Sequence, residues 1–283
     1  MRSLSYARRG VTLIELLVAL MLLLIVIAIG AIAARRTLSI QARAAMLDSR
    51  ASAISDGLLT LARHASGSDP RSNDIRSVRD TAIDIVHTIG ATSVCRAIAD
   101  TVFISAANDS LPWTTVLPRA VTADDRLRFW NDRQRRWIER GVSAVATASG
   151  ACGDSASFPG RASQRLILSD TINEIRPGSL VRVLQRERWS LVRGGDGAWA
   201  LSMSTWDAAR SAFNTPQPLI APLAAPSAAG GAGFSVRAIS ATGAVLADSA
   251  LANTRSIIAT LRAPRHARYG VVAESVQINV GAH

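Results

Sequence analysis

Lysine is absent. All 32 basic residues of the 283-residue chain are arginine, and against 21 acidic residues they give a formal net charge of +11. The arginines are scattered rather than massed, which reads as a compositional bias towards Arg and Ala. An anionic partner, nucleic acid or lipid headgroups, is the alternative. Enzyme signatures are also missing. Ser, His and Asp occur without a nucleophile-elbow pattern. No Gly-rich phosphate loop follows a strand and opens a helix. "RGGDGAW" lacks the downstream ligands of a calcium loop and reads as a turn. No repeat of fixed period is visible. Cysteine is limited to Cys95 and Cys152, and no histidine lies within ligand spacing of either. The four histidines, His64, His87, His266 and His283, are dispersed. No metal site, cofactor or catalytic residue is expected, and the chain is not expected to be an enzyme. Apolar residues make up 48% of the chain, so it has enough to bury a core and is not a disordered polymer.

What the chain does have is concentrated at its start. Residues 1–10 are short, polar and basic, with Arg2, Arg8 and Arg9. From Val11 to Ala34, 15 of 24 residues are Leu, Ile or Val, and the only charge is Glu15. As a helix this run would be about 36 Å long, enough for a hydrocarbon core of roughly 30 Å. Each central Leu, Ile or Val favours insertion by about 0.3–0.6 kcal/mol, and an acidic residue costs about 3 kcal/mol at the centre and less near an end. The segment therefore inserts in spite of Glu15, and an ionisable group kept inside a membrane span points to function. Arginine balance does not orient the span, because Arg35, Arg36, Arg43 and Arg50 follow it closely. Ala31-Ile32-Ala33 would serve as a signal-peptidase site, but the apolar run before it is longer than a signal peptide needs. A plain membrane anchor is the other simple reading.

The stretch Gly10-Val11-Thr12-Leu13-Ile14-Glu15 with the apolar helix after it resembles the leader of type IV pilins and type II secretion pseudopilins. The residue after the glycine, commonly Phe or Met in that family, is here Val11. The resemblance implies that a prepilin peptidase cuts between Gly10 and Val11 and that the Val11 amine is then methylated. It also implies that Glu15 serves subunit assembly, facing the positive N-terminus of a neighbouring subunit. An opposite charge is worth far more in such a low-dielectric setting than in water. The carboxylate could also serve the chain's own Val11 amine, one helical turn away.

Ile40, Leu47, Ala51, Ile54, Leu58, Leu61 and Ala65 continue one apolar helical stripe, and "SGSDPRSN" at 66–73 breaks it. A single helix of about 55 residues from Val11 to near Ala65 is expected. Short β patterns follow. Turns are expected near Ala99-Asp100, Asn131-Asp132 and Pro177-Gly178, and at Gly194–Gly197, with a flexible connection over 222–233. The expected fold class is α+β. The chain divides into a leader (1–10), a transmembrane half-helix (11–34), an amphipathic periplasmic half-helix (35–66) and a β-rich globular domain (67–283).

Length and element order are similar to large minor pilins of the W type and minor pseudopilins of the J type. That resemblance implies a structural subunit that initiates or caps a filament. It would sit in the inner membrane with its C-terminal domain in the periplasm. Its partners would be prepilin peptidase, other pilins through the N-terminal helix, and an inner-membrane assembly platform. In an oxidising compartment Cys95 and Cys152 would pair, closing a loop worth roughly 4 kcal/mol; two buried free thiols are the alternative. The rival function is DNA binding in an uptake filament, through Arg126, Arg128, Arg133, Arg135, Arg136 and Arg140 around Trp130 and Trp137. The competing view of that segment is a solvated hairpin with Leu127, Phe129 and Ile138 towards the core. A signal-anchored periplasmic β domain without a filament is the third possibility.

Overall fold

The computed structural model describes residues 13–105, 116–123, 125–149, 152, 162–172, 175–228, 230–265 and 270–281. One α-helix, α1 (Leu13–Ser66), is followed by β1 (Ile75–Arg79), β2 (Ala82–Ile98), β3 (Thr101–Ser105), β4 (Arg126–Asn131), β5 (Arg136–Ser149) and β6 (Ala162–Leu168). Then come β7 (Leu180–Arg193), β8 (Trp199–Asp207), β9 (Ala212–Phe213), β10 (Gln217–Leu223), β11 (Phe234–Ile239), β12 (Ser256–Arg262) and β13 (Ala273–Asn279). This is the α+β architecture of a pilin-like protein. Compact units divide at Ser52/Ala53: the first part of α1 is one, and everything from Ala53 onwards is the other.

Of the helical stripe, Ile54, Leu58, Leu61 and Ala65 are buried, whereas Ile40 and Ala51 are exposed. Gly57 sits on the buried face, where a Cβ would collide with the Ile220 side chain. A helical glycine costs about 1 kcal/mol relative to alanine; here it lets β10 approach α1 closely.

All strand pairings are antiparallel. In sequence around the sheet, β2 pairs β3, β3 pairs β6, β6 pairs β5, β5 pairs β4, β4 pairs β7, and β7 pairs β2 again. Six strands thus close a ring. Its interior is filled by alternate residues, as the two-residue period of a strand requires: Val94, Val102, Ile104, Leu127, Phe129, Leu166, Leu168, Val181 and Val183. Beyond the ring, β7 continues to pair with β2 and β8, and β10 and β1 form the outer strands.

A bulge sets the ring apart from the open part of the sheet. Register shifts between Thr88 and Gly90 of β2. Before it, odd-numbered Ile83, Ile85 and His87 share the face that α1 covers; after it, even-numbered Thr92 and Val94 are the buried ones. One extra residue exchanges the two faces of a strand. The uninterrupted partner β7 keeps its odd-numbered residues on one side throughout, Val181 and Val183 in the ring, then Glu187, Trp189 and Leu191.

A second core lies between the last turns of α1, this open sheet and a three-stranded sheet, β11-β12-β13. Ile54, Leu58 and Leu61 meet Ile83, Ile85, Trp189 and Leu201 from one sheet, and Phe234, Val236, Ile257 and Leu261 from the other. The 222–233 stretch joins the two sheets, running from the end of β10 to the start of β11.

Candidate functional site

The first part of α1 carries the longest apolar surface. Its large apolar side chains between Leu13 and Ile32 are 50–84% exposed. Burying a leucine-sized side chain stabilises by about 1.5–3 kcal/mol, so so many left open call for lipid or neighbouring helices. Among the described residues α1 is the one helix long and apolar enough to cross a membrane. Glu15 lies in its first turn. A carboxylate there is favoured by the partial positive charge of the helix N-terminus. Gly10 and Val11, the expected cleavage and methylation positions, and the leader 1–10 lie outside the described residues.

Cys95 of β2 and Cys152 are joined by a disulfide with 4.9 Å between their Cα atoms. It ties the start of the β5–β6 connection, just after β5, back to β2.

The arginine hairpin is β4–β5, with Asn131 and Arg136 paired beside the turn. Leu127 and Phe129 are fully buried in the ring. Arg128, on the opposite face, is buried as well. Its guanidinium grips Asp74 through two nitrogens, at 3.0 and 2.6 Å, and reaches Glu139 at 2.9 Å. Burial by itself would lower its pKa, but the hydrogen bonds it donates to Asp74 and Glu139 carry it above the ordinary arginine value. Arg126 also pairs with Glu139, at 2.5 Å, and Arg140 with Asp170. Trp130 and Trp137 meet edge to face at 5.3 Å, with Arg182 over the Trp137 ring. Of the six arginines, only Arg133, Arg135 and Arg136 are both exposed and without a carboxylate partner among the ion pairs described. A comparable arrangement on the same sheet face holds buried Asp84 against Arg186 and Arg188, which stack on Trp206 and Phe213. Arginine here serves largely to neutralise buried carboxylates and to cover aromatic rings.

Two of the dispersed histidines converge. His64, in the last turn of α1, places Nδ1 2.8 Å from Oε2 of Glu187 on β7. His87 of β2 places its Nδ1 3.6 Å from the same oxygen. The imidazoles lie 4.4 Å apart. Trp189 donates its indole N–H to that oxygen at 3.3 Å. Burial pushes the His87 pKa below its usual value; Glu187 opposes the shift and His64 adds to it. No sequence pattern marks this cluster, since the three residues come from three separate elements.

These features define a membrane-anchored protein with one long N-terminal helix and a large β unit. Residues 6–33 match the family described as the prokaryotic N-terminal methylation motif. The chain is therefore type IV pilin-like, and the motif implies processing by prepilin peptidase and assembly with other pilins. Neither a curated protein nor a solved structure matches the chain.

Proposed function

We propose that the chain is a minor pilin or minor pseudopilin, a structural subunit that initiates or caps a type IV pilus or a type II secretion pseudopilus. The observation that carries this reading is the joining of the methylation motif at residues 6–33 to a β unit that has thirteen strands in two sheets among the described residues. A subunit of that bulk suits a place at the end of a filament, where it needs neighbours on one side only. In this reading the peptidase cuts between Gly10 and Val11, and the β unit faces the periplasm. An inner-membrane platform extracts the subunit by its helix. The carboxylate of Glu15 pairs with the methylated N-terminus of a neighbouring subunit. The protein works by assembly and catalyses nothing. Nucleic acid is not favoured as a partner, because half of the hairpin arginines are already engaged by carboxylates.

The test is to isolate filaments or membranes and determine the N-terminus and abundance of this subunit. The expected result is a chain beginning at methylated Val11, present at a small fraction of the main pilin, whose loss reduces the number of filaments. A chain beginning at Ala34 or Arg35 would restore the secretory signal peptide. Abundance equal to the main pilin would remove the initiating or capping role.

A further inference from the structure

The cluster around Glu187 holds more donors than its hydrogen bonds use. Glu187 is 2% exposed, and a buried carboxylate needs partners. Oε2 has two, His64 at 2.8 Å and the Trp189 indole at 3.3 Å. His87 completes no such bond. Its side chain is 10% exposed, and its Nδ1 is buried, has no hydrogen-bond partner, and lies 3.6 Å from the same oxygen. A buried polar group left unsatisfied costs about 1–3 kcal/mol. Yet one donor atom from each of His64, His87 and Glu187 lies within 4.8 Å of the other two. A single cation among them would satisfy all three.

We propose that His64, His87 and Glu187 bind one divalent transition-metal ion of the zinc class, clasping the last turn of α1 to β2 and β7. The donor set selects the ion. Two imidazoles and one carboxylate suit zinc and its first-row neighbours, whereas calcium and magnesium take oxygen ligands. Ligand atoms about 2.0–2.1 Å from a tetrahedral ion stand about 3.3 Å from one another. The His64–Glu187 pair must open by about half an ångström to reach that spacing, His87 must move about 0.3 Å towards Glu187, and the two imidazole nitrogens, within 4.8 Å of each other, must close by up to about 1.5 Å. His64 is 28% exposed, which gives the ion a way in and leaves a fourth position for water. The Trp189 N–H supplies the outer hydrogen bond that orients a ligating carboxylate. None of the three residues lines the clefts around Arg119 and Asp125 or around Arg71 and Trp137.

The experiment uses the full chain in detergent, purified through a tag without histidine and stripped with a chelator. Zinc is titrated by calorimetry, cobalt(II) is followed by its visible absorption, and thermal unfolding is measured with and without zinc. Expected are one ion per chain, cobalt bands of a low-coordinate nitrogen–oxygen site, and a Tm raised by zinc. His87→Gln and His64→Gln should each weaken zinc binding at least about tenfold and abolish the Tm rise. His266→Gln should leave both unchanged. His64→Gln, at a partly exposed position, keeps the test open if the His87 variant does not fold. Absence of stoichiometric binding would overturn the proposal. So would unchanged binding in both site variants, or binding lost on changing His266 alone.

Discussion

Arg128 should make Asp74 one of the least replaceable residues of the β unit. The guanidinium is 5% exposed and the Asp74 carboxylate 3%. Asp74 also accepts the Asp69 backbone N–H at 2.8 Å, so it holds the chain just after α1 as well. Asp74→Asn keeps the volume and removes the charge. Breaking a buried ion pair by removing one partner costs about 3–5 kcal/mol, because the remaining charge stays desolvated. Glu139 remains as a second partner, but it is 19% exposed and shared with Arg126. The cost should therefore fall at the lower end, about 3 kcal/mol. At about 2–4 °C per kcal/mol for a unit of this size, Tm should drop by roughly 6–12 °C. All six tryptophans lie beyond residue 112, so their fluorescence reports unfolding of the β unit in the full-length protein. The double variant Asp74→Leu with Arg128→Met removes both charges and leaves Glu139 to Arg126. It should be more stable than the sum of its single variants predicts, by 1 kcal/mol or more, as contacting residues couple. An Asp74→Asn variant within 2 °C of the parent would refute the reasoning, as would strict additivity in the double variant.

Three further outcomes are expected. Replacing Cys95 and Cys152 by serine should cost roughly 4 kcal/mol by loop entropy for a sequence separation of 57, read from denaturant midpoints; equal midpoints with and without reductant would contradict it. The lowered pKa of His87 means that the unfolded chain takes up its proton first as pH falls. With chelator present, the stability this group contributes should be complete above about pH 6.5 and decline as pH falls towards the folded-state pKa. His87→Gln should flatten that decline, and an unchanged profile in the variant would assign it elsewhere. Glu15→Val should leave membrane insertion intact, since it removes the one polar cost, and impair incorporation into filaments; full incorporation of the variant would deny the carboxylate a part in assembly.

Features with a local cause were legible in the sequence. The stripe from Ile54 to Ala65 showed through its 3.6-residue period, and the Pro177-Gly178 turn through a glycine that does take positive φ, +89°. The β4–β5 hairpin showed through the alternation of Leu127 and Phe129 with arginines. Features set by distant pairings were not. The stretch 82–98 reads as two patterns, one ending at residue 89 and one starting at Thr92, because the bulge at Thr88–Gly90 breaks the alternation in the middle of what is one strand, β2. Closure of the ring rests on β2 meeting β7 about a hundred residues later, for which no turn residue signals. Ile40 and Ala51 carried the apolar period, yet both are exposed among the described residues. The histidine pair has no signature along the chain, because His64 and His87 meet across a helix and a strand.

Ring closure bears on how such a protein survives being concentrated. Any protein with an open strand edge invites a neighbour to add on and run away into aggregate. Strands β3, β4, β5 and β6 present no such edge along the ring, since each is flanked on both sides. The outer strands that remain are guarded individually. β10 carries Pro218 and Pro222, which remove two backbone donors, and β1 is five residues long with arginine at positions 76 and 79. The large sheet, closed in this way, contributes bulk and surface while offering little of its backbone for polymerisation; β11 and β13 remain the outer strands of the small sheet. In the role proposed above, subunit-to-subunit attachment would fall to the apolar helix, which lipid would cover before assembly.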